Sequence, residues 1–62
     1  MTYETTRSNF LRKLWSIKMV RVVMTKGIIN KDQFQQIMYD GVKSNVITPE
    51  LYIEETGETY EP

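Results

Sequence analysis

The chain has neither cysteine nor histidine. Without cysteine it forms no disulfide, and with both absent it builds neither a Cys/His zinc site nor a histidine acid–base pair. Glycine is limited to Gly27, Gly41 and Gly57, all read as helix-end residues, so there is no glycine-rich phosphate loop. No nucleophile elbow and no metal-ligand spacing occur either. Long apolar runs are also missing. The first nine positions are mostly polar, and Lys18 and Arg21 interrupt the apolar stretch behind them. A signal peptide or a membrane span, which needs ~20 largely uncharged residues, is therefore not expected, and the chain reads as soluble.

Acids are scarce in one half and bases in the other. Arg7, Arg12, Lys13, Lys18, Arg21, Lys26 and Lys31 are basic, and no acid lies between Thr5 and Asn30. Beyond Lys43 every charge is acidic, at Glu50, Glu54, Glu55, Glu58 and Glu61, although the formal net charge is +0. This polarity implies weak attraction between two solvated faces, or head-to-tail contact between copies, or docking on a charged partner. With 62 residues the chain is at most one domain, 1–62. A chain of this size hides only about 60% of its unfolded surface and often relies on a partner.

Helical periodicity organises what is present. Phe10, Leu14, Ile17 and Met24 share one side of a segment from about Thr6 to Lys26, with Leu11, Trp15, Met19 and Val22 on a neighbouring stripe. The valines at 20, 22 and 23 would suit a strand. No turn signal separates them from the pattern before, so one helix over about 6–26 is expected, ended by Lys26 and Gly27. Val20 and Val23 then fall off the main stripe, which leaves surplus apolar surface for another chain to cover.

Two further helices are expected over about 31–42 and 49–56. Asn30 with Gln33 forms a capping-box pattern, and Ile29 with Phe34 a hydrophobic staple. Phe34, Ile37, Met38 and Val42 mark the apolar face. The third helix repeats that grammar after an offset of 18 residues: Ile47 precedes Thr48 as cap, Pro49 takes the first position, and Gly57 ends it. Residues 57–62 form an acidic tail carrying Tyr60. The fold class is all-α: a helical hairpin, a short third helix and an extended acidic C-terminal tail.

Chemistry is hard to place on this framework. Glu50, Glu54, Glu55 and Glu58 could serve glycoside chemistry, but a short terminal helix offers no water-excluding pocket and reads as a solvated acidic face. The bases of the first helix are spread around it, so they do not make the contiguous footprint that nucleic-acid binding calls for. No enzyme activity, cofactor, metal or small-molecule substrate is expected. Leu14, Trp15, Val22 and Phe34 are the candidate anchors of a partner interface, with Tyr52 and Tyr60 fixing the acidic end.

Trp15, Ile17 and Lys18, then Val46, Ile47, Thr48, Pro49, Glu50 and Tyr52, then Glu55, Thr56, Gly57, Glu58 and Tyr60 follow a recognisable order. This pattern, spread from Trp15 to Tyr60, resembles the XkdX-type small proteins encoded among phage tail genes. It departs from them where Met19, Val20, Val22 and Val23 stand in place of an aromatic pair. The resemblance implies a non-enzymatic minor component of a phage tail or baseplate, located in the virion and docked on another phage structural protein or on itself as an oligomer. An assembly chaperone or a small host-directed factor in the bacterial cytoplasm is the alternative. Leu11, Leu14, Gly27, Ile28, Ile29, Asn30, Asp32 and Phe34 also resemble short C-terminal helical-pair modules used for oligomerisation.

Overall fold

The computed structural model describes residues 2–62. Four α-helices and no strand occur among them: α1 (Tyr3–Leu11), α2 (Ile17–Thr25), α3 (Lys31–Lys43) and α4 (Pro49–Thr56). The all-helical class is as the periodicity indicates. The first helix is not.

Instead of one helix over 6–26, the chain forms two, α1 and α2, joined by an elbow at Arg12–Ser16. Lys13 adopts φ 64°, a left-handed conformation that costs a non-glycine residue energy. The Asn9 carbonyl takes up the slack by accepting the Leu14 and Trp15 amides at 2.9 and 3.2 Å. Ser16 restarts the helix by accepting the Met19 amide on Oγ at 3.4 Å. The reason for the break is tertiary. A straight helix over 6–26 would extend roughly 32 Å at about 1.5 Å per residue, whereas the whole molecule measures 28 × 21 × 17 Å. Breaking the rod lets both halves lie against α3. α1 also starts earlier than expected, because Thr2 caps it through the Thr5 amide at 3.2 Å.

The elbow resets the rotational phase of α2. Val20 and Val23, which a continuous helix places outside its main stripe, are buried at 0% and 3% exposure. Leu14, Met19 and Val22 are turned outward instead. The surplus apolar surface therefore exists, but on different residues from those the unbroken periodicity marks.

α3 is the hub on which α1, α2 and α4 each pack. Its start carries both halves of the capping box: Asn30 Oδ1 accepts the Gln33 amide at 2.8 Å, and Gln33 Oε1 accepts the Asn30 amide at 2.9 Å. Asp32 in the first turn and Lys43 in the last complement the helix dipole. Phe34, Ile37, Met38 and Val42 form the buried face, joined by Phe10, Val20, Val23, Ile29 and Tyr52. Thr6 is the buried polar residue, and its hydroxyl donates to the Thr2 carbonyl at 2.8 Å.

Gly41 lies in the last turn of α3, near the helix end as expected, but its role there is close packing. The Phe10 ring rests on it so closely that a Cβ would fall 2.7 Å from Phe10 Cε2. Its carbonyl also accepts the Val46 and Ile47 amides at 2.7 and 3.3 Å, which folds the loop back toward α4. Thr48 caps α4 by accepting the Leu51 amide at 3.1 Å. Gly57, at φ 75°, closes it and directs residues 58–62 back over α3.

Candidate interaction surfaces

The six residues singled out as a partner interface do not form one surface. Phe34 and Tyr52 are core residues, each 3% exposed. Phe34 follows the Asn30 cap at a position that turns it inward beside Ile29, and the Arg21 guanidinium covers its ring at 5.0 Å. The Tyr52 hydroxyl accepts Gln35 Nε2 at 3.2 Å. Trp15 and Tyr60 are half-buried, while Leu14 is 62% exposed and Val22 lies on the outside of α2.

Leu14 and Trp15 belong to the elbow. There a shallow depression of about 430 Å³ is lined by Phe10, Leu14, Trp15 and Ile17 together with Val46 and Ile47 from the α3–α4 loop. Arg12, Lys13 and Lys18 are exposed along the same segment and make no ion pair among the described residues. Of these cations Lys13 lines the hollow itself, beside Ser16. The elbow that builds it has a weak sequence signal, since Ser16 is a competent cap but nothing marks Lys13 for positive φ.

A second cleft, of about 520 Å³, separates α2 from α4. Ile29 and Phe34 form its floor, and Met24, Lys31, Gln35 and Thr56 line its sides. α2 and α4 do not pack directly on each other. Arg21 spans the gap, donating from Nη2 to Glu55 Oε1 at 2.6 Å and to the Glu55 carbonyl at 3.1 Å. Because Arg21 is 46% exposed, that pair contributes no more than about 1 kcal/mol. Its role is to fix the separation of two helices that otherwise meet only through α3.

The C-terminal segment is held by a cluster of three tyrosines. Tyr39 stands 6.3 Å from Tyr52 and 5.0 Å from Tyr60, and Tyr52 stands 5.6 Å from Tyr60, ring centre to ring centre. These spacings suit edge and tilted aromatic packing. The Tyr39 hydroxyl donates to the Glu61 carbonyl at 3.1 Å, and Lys43 Nζ lies 5.8 Å from the Tyr39 ring. Thr56 helps make the turn, donating to the Tyr52 carbonyl at 2.7 Å and accepting the Glu58 amide at 3.2 Å. The ThrGlyGlu-x-Tyr ending is thus a device that returns the chain onto its own core. Burial pushes the Tyr60 hydroxyl above the ordinary value of 10.0, and Tyr39 and Tyr52 add to the effect. Tyr39 was not singled out in the sequence, since only its residue type hints at this role.

One more link is invisible in the sequence. Arg7 Nε donates to Asp40 Oδ2 at 2.7 Å and ties α1 to the far half of α3. That hydrogen bond raises the Arg7 pKa further, so the cation is permanent. Tyr3 beside it is also raised, by burial first and then by Asp40.

Charge is divided between two helices. The outward face of α2 carries Lys18, Val22 and Lys26, spaced four residues apart, with Met19 alongside. The outward face of α4 carries Glu50, Ile53 and Glu54. Glu55 is turned to Arg21, and among the described residues no three carboxylates converge where a metal ion could be held. No helix among them is long and apolar enough to cross a membrane. No protein-family model matches the chain, and no curated protein or solved structure shows detectable similarity to it.

Proposed function

We propose that this chain is a non-enzymatic docking protein, and that it serves as a minor tail or baseplate component of a phage particle. The observation that supports docking is Leu14, 62% exposed on a helix elbow beside the half-buried Trp15 and the hollow they share with Ile17, Val46 and Ile47. A large aliphatic side chain held outward on a hollow lined by Trp15, Ile17, Val46 and Ile47 fits burial by a partner better than it fits an isolated chain. Leu14 and Trp15 are the anchors, and Val22 lies on the adjoining helix. The phage assignment is supported by the resemblance from Trp15 to Tyr60 alone.

Quantitative mass spectrometry of gradient-purified particles from the source phage tests this reading. A fixed ratio to a tail protein is expected, and Leu14→Asp should remove the chain from particles while its helical circular dichroism is unchanged. Abundance in the lysate with absence from particles would overturn it in favour of an assembly chaperone or a host-directed factor.

A further inference from the structure

The outward faces of α2 and α4 are opposite in charge. On α2, Val22 is flanked by Lys18 and Lys26 one turn to either side. On α4, Glu50 lies one turn before Ile53, and Glu54 follows it directly and stands one turn beyond Glu50. Val22 is 40% and Ile53 44% exposed, so each face offers one exposed apolar side chain next to two like charges. None of these four charged residues is committed to an ion pair among the described residues. The same pairing chemistry already operates within the chain, where Arg21 on the flank of α2 binds Glu55 on the flank of α4.

We infer that the partner of each face is a second copy of this chain, with α2 of one copy laid on α4 of the next, Val22 against Ile53 and Lys18 and Lys26 against Glu50 and Glu54. The faces are different patches, so every copy carries both a donor and an acceptor surface. Copies pair with both contacts formed at once about a two-fold axis, or continue as a ring or filament. The surface of the single chain is 4126 Å². A standard interface takes about 800 Å² from each partner, and two short helices supply less. The association is therefore weak, and opposite charge supplies much of its specificity. This contact uses neither Leu14 nor Trp15; it shares Val22 with the docking reading above, and the charge reversals that test it leave Leu14, Trp15 and Val22 unaltered.

Charge reversal tests it. One variant carries Lys18→Glu and Lys26→Glu, the other Glu50→Lys and Glu54→Lys. All four positions are exposed, and circular dichroism and thermal melting verify that both variants fold. In sedimentation equilibrium at low salt, the unaltered chain self-associates, and each variant alone does so at least ~10-fold more weakly because like charges now face each other. An equimolar mixture of the two variants regains the association, since the acidic α2 of one fits the basic α4 of the other. Raising the salt from about 50 to about 500 mM weakens the unaltered and mixed assemblies in parallel. A monomeric unaltered chain overturns the inference, as does self-association that survives both reversals or a mixture that stays dissociated. Should the variants fail to associate alone or mixed while Leu14-dependent incorporation into particles persists, the copy-to-copy contact is wrong and the docking reading stands.

Discussion

Replacing Gly41 by alanine sets two effects of known size against each other. Alanine is the better helix former by about 1 kcal/mol, so at an exposed position inside α3 the change would stabilise the fold. Here the new methyl would stand 2.7 Å from Phe10 Cε2 and 3.4 Å from both Ile47 Cγ1 and Phe10 Cζ. Carbon–carbon contact is comfortable from about 3.5 Å, so Phe10 must retreat by roughly 0.8 Å. It has little room to do so, being 1% exposed and wedged between α1 and α3. Overpacking of this kind costs about 1–3 kcal/mol. Set against the propensity gain, the net result is a loss of about 1 kcal/mol. For a chain this small, that lowers Tm by roughly 4–8 °C. Urea denaturation followed by circular dichroism reads the difference, and Phe10→Leu provides the partner mutation. Leucine removes the ring edge, so Gly41→Ala should cost less in that background, and the double-mutant cycle should show coupling. A Gly41→Ala protein more stable than the original, or two changes that simply add, would refute the close approach of Phe10.

Two further outcomes follow from the contacts described. Arg21→Ala removes both the Glu55 pair and the cation over Phe34, each an exposed or half-exposed interaction. Together they are worth about 1 kcal/mol, read from urea midpoints, and an unchanged midpoint would mean that nothing but α3 fixes α2 and α4. The raised Tyr60 pKa means that the fold favours the neutral hydroxyl, so its contribution is complete below pH 10.0 and is lost as pH rises through the folded value. Unfolding midpoints measured at increasing alkalinity should therefore fall more steeply for the unaltered chain than for Tyr60→Phe, and coincident curves would contradict the packing of the tail.

Local rules made much of this protein legible without coordinates. The Asn30–Gln33 capping box, the Thr48–Pro49 start and the Gly57 stop depend on neighbours within four residues, and each is present as the sequence states it. The inward face of α3 follows in the same way, because one strong cap fixes its phase and Phe34, Ile37, Met38 and Val42 share it. Periodicity fails at the elbow for a physical reason. A pattern continuous through Arg12–Ser16 assumes a rigid rod, and the rod is longer than the body it must cover. Lys13 accepts a strained φ because both halves then bury side chains on α3, a gain no local window contains. From that one kink follow the burial of Val20 and Val23 and the exposure of Leu14 and Val22. Links between distant residues are decided at the same level. Arg7 reaches Asp40, Arg21 reaches Glu55, Phe10 settles on Gly41, and Tyr39 gathers Tyr52 and Tyr60. The sequence alone determined where α3 and α4 begin and end, where α2 stops, and how charge is divided along the chain. Only the tertiary structure decided where the first helix breaks and which faces of α1 and α2 turn inward, because that depends on how helices of fixed length fit around a common core.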